Sequence, residues 1–404
     1  MSPLSTWATF SVLTATAFGA ALDTLAKQGK FTLQQTAYNR TGPWSGAISM
    51  HRTAMRYGIK SPTAIQEAAE RDMQMPPGET TTAARSVRGD IQYLIDVQVG
   101  NHNLSLDLDT GSSDLWVIST LLPAQLKANH PANKIYDPIT SGAKVLEGAS
   151  WTIRYGDSSS AGGKVYLDKV TIGALTVPNQ AVEAATTMSA TFIRERGMDG
   201  LLGLGFSKLN TIKPTRQQTW FDNIRPKLSA PVFTASLKRK TTGSYDFGYI
   251  DKSKYKGEIA YTDALNSRGH WGFQVGGYQI GNGTARTVSF QAISDTGSSL
   301  WYMPKVMADE YWGQVQGARF TGSQWNFPCG AKLPDMSVIV GGKKVTVPGE
   351  NMNYQSVGTT CFGGIQRDLP MPFSIFGDVF MKGLFVVHES PLAGKARIGF
   401  AHAA

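Results

Sequence analysis

The most informative feature of the sequence is a short motif, Asp-Thr-Gly-Ser-Ser, that occurs twice, at Asp109–Ser113 and at Asp295–Ser299. Each copy follows an apolar stretch and precedes a nearby tryptophan. A single Asp-Thr-Gly is a common turn, but two copies in equivalent contexts, about one large domain apart, indicate two related lobes. Two aspartates presented by matching turns are candidates for acid–base chemistry.

The paired aspartates can share one proton if the two lobes face each other about a pseudo-twofold axis. Asp109 and Asp295 then cannot both stay ionised, because the first negative charge repels the second. The ionised carboxylate can take a proton from a bound water while the protonated one hydrogen-bonds a substrate carbonyl. The sequence therefore predicts that Asp109 and Asp295 catalyse amide hydrolysis without a metal, a cofactor or a covalent intermediate.

The residues that follow each aspartate are suited to hold its carboxylate. Six of them are predicted to support the pair: Thr110, Gly111, Ser112, Thr296, Gly297 and Ser298. The serines can hydrogen-bond the outer carboxylate oxygens, and the threonines can bond across the interface between the lobes. The glycines allow the backbone to come close to the pair.

The elements that must position these residues are mostly strands. Apolar segments run into both motifs, at residues 104–108 and 288–294, and the glycines then turn the chain away. Alternating runs predict further strands at Ile91–Val99, Lys164–Ile172 and Lys343–Val347. Helical patterns are few: Pro62–Met73, Thr219–Leu228 and Lys305–Val315. The 404 residues, 41% hydrophobic and 17% charged, are sufficient for a compact, turn-rich, mostly β protein.

With these motifs in this order, the chain resembles the pepsin-like aspartic endopeptidases, and within them the fungal aspergillopepsin and penicillopepsin group. The resemblance covers nearly the whole chain and includes Tyr155-Gly156-Asp157, Asp199–Gly205, Tyr245–Asp251 and Phe373–Asp378. It implies a bilobal pepsin-like fold, in which two pseudo-twofold-related β lobes enclose the active-site cleft. In the family a strand with two hydrophobic residues and a glycine crosses each aspartate loop, and residues 201–203 and 375–377 match it. The acid–base roles of the pair are those established for this family.

The resemblance also implies which residues bind substrate. The segment 151–157 resembles the hairpin, or flap, that closes over the peptide. Tyr155 would bond through its hydroxyl to the Trp116 indole, while the amides of Gly156 and Asp157 would bind the peptide as an added strand.

Other positions of the pocket follow from the same match. Phe192 and Leu201 match apolar positions in the wall of the S1 pocket, so bulky apolar P1 residues are expected. In the fungal group an acidic residue at the position of Asp157 is associated with accepting Lys at P1. Ser158 stands where the flap tip usually has glycine, and Asp107, which shares the face of Asp109, is expected to be a carboxylate at the rim of the cleft.

The first part of the chain resembles a secretory precursor. Residues 1–21 are expected to be a signal peptide and 22–88 a propeptide, followed by an N-terminal catalytic lobe, 89–265, and a C-terminal one, 266–404. An uncleaved apolar start is the alternative to the signal. In the family a Lys-Tyr pair of the propeptide blocks the dyad, and the matching position holds Arg56, which would be the plug of an acid-activated zymogen. A solvated helix residue is the other interpretation of Arg56.

The two cysteines, Cys329 and Cys361, fall where the fungal group has its single disulfide, and two free buried thiols are the alternative. Asn39, Asn103 and Asn282 begin glycosylation sequons, and Asn103 and Asn282 fall in predicted turns; unmodified asparagines are the alternative. No segment after the signal is apolar enough for a membrane anchor.

The net charge of +9 is unusual for the secreted acid proteases of this group, and its one tight cluster, Lys238–Lys240, is interpreted as a solvated loop. We therefore expect a secreted, extracellular monomer that acts on polypeptides, binds pepstatin-type inhibitors and does not bind nucleic acid. Two other classes remain open. One is a catalytically silent pepsin-like protein that binds peptides or inhibitors, and the other is a two-carboxylate glycoside hydrolase.

Overall fold

The computed structural model describes residues 29–37, 45–74, 93–128, 130–154, 160–189, 198–239 and 243–404. In chain order its strands are β1 Phe31–Gln34, β2 Thr36–Ala37, β3 Tyr93–Val99, β4 His102–Asp109, β5 Leu115–Val117, β6 Lys144–Arg154, β7 Ser160–Ile172, β8 Leu175–Met188, β9 Gly200–Gly203, β10 Val232–Ser236, β11 Ser244–Phe247, β12 Tyr255–Asp263, β13 Gly272–Ile280, β14 Arg286–Ser294, β15 Trp301–Met303, β16 Arg319–Thr321, β17 Gln324–Pro328, β18 Met336–Val340, β19 Lys343–Val347, β20 Asn353–Val357, β21 Thr360–Gly363, β22 Ile365–Arg367, β23 Ser374–Phe376, β24 Leu384–Glu389 and β25 Arg397–Ala403.

The helices are short. They are α1 Gly46–Arg56, α2 Thr63–Gln74, α3 Ala124–Lys127, α4 Pro138–Ser141, α5 Trp220–Ile224, α6 Lys305–Gly313 and α7 Asp378–Met381. The predictions of α2, of α6 and of a helix after Thr219 are confirmed, the last as α5 continued by a 3-10 turn at Arg225–Lys227. Sequence reasoning missed α1. Its N-cap is Ser45, whose hydroxyl accepts a hydrogen bond from the Ile48 amide at 3.2 Å, and most of its residues are buried.

The two lobes repeat one strand arrangement. An eight-stranded sheet has the order β2-β3-β4-β9-β5-β8-β7-β6, and a seven-stranded sheet has the order β19-β18-β13-β14-β23-β15-β22. In the first, β4 runs parallel to β9 and β9 antiparallel to β5. In the second, β14 runs parallel to β23 and β23 antiparallel to β15. This correspondence confirms the bilobal, mostly β, pseudo-twofold fold.

A six-stranded sheet, β1-β11-β10-β24-β25-β12, joins the lobes. Its strands come from both sides of residue 265, because β24 pairs with β10 and β25 pairs with β12. The edge strand β1 comes from the predicted propeptide and pairs antiparallel with β11, with Leu33 opposite Tyr245. Part of the segment before residue 89, strand β1, therefore belongs to the sheet that connects the lobes.

A small four-stranded sheet, β16-β17-β21-β20, carries the disulfide. Cys329 and Cys361 are bonded, with their Cα atoms 4.9 Å apart, so the expected pairing is found and the alternative of two free thiols is wrong. Because this bond closes a long loop, the chain-entropy model assigns it roughly 3 to 4 kcal/mol of stability.

The core is rich in buried tryptophans, and three of them have hydrogen-bonded indole N–H groups. The indole N–H groups of Trp220, Trp271 and Trp312 donate to the backbone oxygens of residues 170, 204 and 365 at 3.1, 2.8 and 2.9 Å. Burying a side chain of this size contributes roughly 2 to 3 kcal/mol when no polar group loses its partner. The aspartate-bearing strands β4 and β14 lie inside these cores, which fixes the positions of their last residues.

Candidate active site

The two predicted aspartates are held by matching hydrogen bonds. In the first loop, Ser112 Oγ donates to Asp109 Oδ2 at 2.5 Å and the Gly111 amide donates to Oδ1 at 2.8 Å. In the second, Ser298 Oγ donates to Asp295 Oδ2 at 2.5 Å and the Gly297 amide donates to Oδ1 at 3.0 Å. Both carboxyl groups are fully buried. Each loop therefore orients its carboxylate in the same way.

The threonines lock the two loops to each other. The Thr110 amide donates to Thr296 Oγ1 at 3.0 Å, and the Thr296 amide donates to Thr110 Oγ1 at 3.0 Å. Each hydroxyl in turn donates to a backbone oxygen of the opposite lobe, that of Ser294 at 2.8 Å or that of Leu108 at 2.5 Å. These buried bonds fix the distance between the loops, because breaking any of them would leave a polar group without a partner.

The glycines are required because the opposite carboxylate occupies the space of a side chain. A Cβ on Gly111 would overlap Asp295 Oδ1, and a Cβ on Gly297 would overlap both Asp109 Oδ1 and Arg56. The two carboxylates thus face each other across the interface, as the repeated motif predicts.

Burial raises the pKa of Asp109 to about 6, and the charge of Asp295 acts in the same direction. Arg56 and the hydrogen bond from Ser112 oppose this rise. A carboxyl with this pKa keeps a proton under mildly acidic conditions, which suits a pair that shares one proton.

The cleft above the pair is filled by the end of α1. Arg56 Nη1 lies 3.1 Å from Asp109 Oδ1 and 3.6 Å from Asp295 Oδ1. One nitrogen thus approaches both carboxylates. Burial disfavours the guanidinium charge, but the carboxylates outweigh it and raise the pKa of Arg56. The alternative of Arg56 as a solvated helix residue does not fit this position.

The next residue completes the contact. Tyr57 donates its hydroxyl to Asp295 Oδ2 at 2.8 Å. Its ring lies 5.9 Å from those of both His270 and Phe373, measured between centroids. The side chains of Arg56 and Tyr57 therefore occupy the space directly above the aspartate pair.

Helix α1 is attached to the second lobe through polar contacts with β20. The Gly46 amide donates to Gln355 Oε1 at 2.8 Å, and Ser49 Oγ lies 2.7 Å from the Tyr354 hydroxyl. A Cβ on Gly46 would overlap the ring of Phe362 in β21, so the start of the helix lies directly on this small sheet.

Sequence reasoning missed a second buried acid pair behind the first loop. Asp114 Oδ1 accepts hydrogen bonds from Asn210 Nδ2 at 2.8 Å and from the Thr211 amide at 2.7 Å, and Glu183 Oε1 accepts from Asn210 at 3.1 Å. Burial raises the pKa of Asp114 to about 6, and burial together with the Asp114 charge raises that of Glu183 well above its ordinary value. Glu183 therefore retains a proton that it can donate to Asp114.

The expectation that Asp107 is a rim carboxylate is wrong. Its side chain is buried, with 3% of its surface exposed. Asp107 lines the space between α1 and the aspartate loops rather than the open rim, and its negative charge helps to raise the pKa of Arg56.

A cavity of about 450 Å³ remains between α1 and the aspartate loops. Trp116 and Leu201, both predicted to bind substrate, line it together with Ile153, Met198 and Leu209. Tyr155, Gly156, Asp157 and Phe192 lie outside the described residues, and so do the predicted signal peptide, the processing site and Asn39. The two sequons within the described part, Asn103 in β4 and Asn282 in the turn after β13, are exposed. Asn103 was expected in a turn and is in a strand.

Within the described ranges, no group of His, Cys, Asp and Glu side chains has the arrangement needed to hold a metal ion. In the same residues no helix has the length and apolar character required to cross a membrane.

Comparison with known proteins agrees with this geometry. The sequence model of the eukaryotic aspartyl protease family matches residues 92–403. The chain is 43% identical over 394 residues to aspartic protease PEP1 of Arthroderma benhamiae, covering 93% of each chain. It is 41% identical to penicillopepsin-3 of Penicillium janthinellum, over 95% of this chain and 96% of that one. It is also 41% identical to aspergillopepsin-1 of Emericella nidulans, over 97% and 98%. The chain belongs to the eukaryotic aspartyl protease family and is an aspartic endopeptidase.

Proposed function

We propose that the protein is a secreted endopeptidase made as an acid-activated zymogen, and that Asp109 and Asp295 are its catalytic pair. The observation that carries the proposal is the symmetry of the two loops. Each buried carboxylate accepts a serine and a glycine hydrogen bond, and each faces the other through a glycine.

In this mechanism the pair holds one proton. The ionised carboxylate removes a proton from a water held between the two, and the water oxygen attacks the peptide carbonyl carbon. The protonated carboxyl hydrogen-bonds the carbonyl oxygen, where negative charge develops. Proton transfer to the amide nitrogen then allows the C–N bond to break. Thr110, Gly111, Ser112, Thr296, Gly297 and Ser298 are assigned to keep the carboxylates in place, and no cofactor takes part.

Latency is assigned to residues 22–88. The proposal is supported by the 3.1 and 3.6 Å approaches of Arg56 to the carboxylates and by the Tyr57 hydrogen bond to Asp295. A substrate cannot reach the pair while these two side chains occupy the cleft. Because the guanidinium does not lose its proton, release depends on protonation of the carboxylates. With the pKa of Asp109 at about 6, the attraction weakens as the pH falls through this value.

Substrate preference is assigned from the pocket. Trp116 and Leu201 border the cavity with apolar surface, which supports bulky apolar residues at P1. Tyr155, Gly156 and Asp157 of the flap and Phe192 are assigned to substrate binding by their match to the family, and Asp157 would admit Lys at P1. The disulfide supports an oxidising compartment, and the exposed Asn103 and Asn282 are accessible to glycosylation during secretion.

The alternative is a catalytically silent relative that binds peptides or inhibitors. The test is a pepstatin titration of the hydrolysis of denatured haemoglobin after brief acid treatment, at several pH values. We expect activity that appears only after acidification and is abolished at about one inhibitor per protein. Pepstatin binding without hydrolysis would support the silent alternative. Hydrolysis that pepstatin does not inhibit would exclude the aspartate mechanism.

A further inference from the structure

Residue 270 is a histidine placed at the junction of the lobes, next to the aspartate pair. Its two neighbours are fixed by backbone hydrogen bonds: Gly269 O accepts from Phe206 N at 3.0 Å, and Trp271 O accepts from Ser294 N at 3.0 Å. Ser294 directly precedes Asp295. The position of His270 relative to the pair is therefore set by the fold rather than by a free loop.

The imidazole forms one side of a slot. Its ring centroid lies 5.3 Å from that of Phe373, and the Tyr57 ring contacts both. His270 is 9% exposed, and its Nδ1 atom has no hydrogen-bond partner among the residues that the structure describes. A buried polar atom without a partner is costly, and because His270 lines the cavity, a ligand bound there can supply that partner.

The charges around this cleft make His270 distinctive. If α1 and Tyr57 are removed, the remaining described residues that line the cavity include the carboxyl groups of Asp107, Asp109 and Asp114. His270 is then the one basic side chain among those described lining residues. The cleft as a whole disfavours acidic side chains, and only the slot beside His270 can compensate for a negative charge.

We propose that His270 is a specificity-determining residue that gives the cleft one position for a glutamate or aspartate side chain of the substrate. This inference rests on the proposed function, because it requires that Tyr57 leaves the slot and that a peptide enters. When His270 is protonated, its Nδ1–H donates a charge-assisted hydrogen bond to the substrate carboxylate.

The preference has a defined pH window. Burial lowers the pKa of His270 below its ordinary value of 6.5, and the other charged groups near it act in both directions. The charge of Asp109 and a hydrogen bond to the Gly111 backbone favour the imidazolium, and Arg268, which precedes His270 by two residues, disfavours it. A glutamate side chain ionises above about pH 4.3. The attraction is therefore greatest above this value and is lost as His270 loses its proton.

The experiment compares peptides that contain a fixed Phe-Phe cleavage site and carry Glu or Gln at each flanking position in turn. For the acid-activated wild type we expect the Glu-to-Gln ratio of kcat/KM at one position to rise about tenfold between pH 3 and pH 5 and to fall again toward pH 6.5. In His270→Gln this rise should disappear at that position, while hydrolysis of the Gln peptides continues. His402→Gln, which removes an exposed histidine of β25, is the matched control and should behave as the wild type.

Two outcomes would overturn the proposal: a wild-type ratio that stays flat at every position, or a rise that persists in His270→Gln. If His270→Gln does not fold, His270→Phe keeps a ring in the slot without a charge, and the same two outcomes apply to it. Failure of the wild type to cleave even the Gln peptides would instead contradict the proposed protease function.

Discussion

Replacing Glu183 by glutamine should make the protein more stable near neutral pH and leave its stability in acid unchanged. In the wild type the buried Glu183 keeps its proton and Asp114 ionises beside it. The amide of glutamine has nearly the same shape and can donate to Asp114 without ever carrying a negative charge. The substitution therefore removes a group that must hold a proton in order to remain buried.

The pH range of the effect follows from the raised pKa values of the pair. The pKa of Asp114 is raised from 3.8 to about 6, which corresponds to about 3 kcal/mol at 1.36 kcal/mol for each pH unit. The pKa of Asp114 is higher in the folded protein than in the unfolded one. Its contribution to the free energy of unfolding is therefore fully present below pH 3.8 and is lost as the pH rises through about 6. The pKa of Glu183 is raised as well, so keeping it protonated has its own cost as the pH rises. Glu183→Gln removes this cost and keeps a donor for Asp114, so we expect a gain on the order of 1 kcal/mol at pH 7 and almost none at pH 3.5.

The assay is urea unfolding of the zymogen, followed by tryptophan fluorescence at both pH values. Glu258→Gln is the control, because Glu258 is an exposed partner of Lys343 and its loss should change little at either pH. A Glu183→Gln protein that is less stable than the wild type at pH 7 would refute the shared-proton interpretation. A gain of equal size at pH 3.5 and pH 7 would refute it as well.

The other predictions concern latency and specificity. Arg56→Gln in the zymogen should raise peptidase activity at neutral pH about tenfold or more, because a charge-assisted contact with the aspartate pair is lost. The measurement is peptidase activity without acid treatment, and Arg71→Gln on α2 is the control. A variant as latent as the wild type would exclude Arg56 as the plug. Asp157→Ser should lower kcat/KM for peptides with Lys at P1 about tenfold and that for Phe at P1 much less, and equal losses would mean that Asp157 only shapes the flap.

The repeated motif allowed much of the centre of the fold to be predicted. Asp109 ends β4 and Asp295 directly follows β14, and these strands occupy equivalent places in two sheets. The supporting threonines and serines have the expected partners. These features depend on local sequence, because each carboxylate is bound by residues that follow it directly in the chain. The prediction of the bilobal fold and of the substrate-binding residues came from the order of the motifs and their match to one family.

The features that were missed depend on contacts between distant segments. Helix α1 does carry local helical signals, the Ser45 cap and apolar residues at helical spacing, but they give no indication of its burial against β20 and β21. The pairing of Asp114 with Glu183 joins β8 to the first aspartate loop, and nothing in either segment indicates the other. Asp107 was predicted to lie at the rim because strand alternation shows which face of the sheet carries a side chain. It does not show how deeply that part of the face is buried.

The most direct test of the central claim is the peptidase activity of Asp109→Asn and Asp295→Asn, each cut at the predicted junction near residue 88 by an added protease. An amide can neither share the proton nor act as a base, so both variants should be folded, with the unfolding midpoint of the wild type or a higher one, and should lose essentially all turnover of a Phe-Phe peptide. Folded Asn variants that retain more than a few per cent of the wild-type turnover would contradict the mechanism.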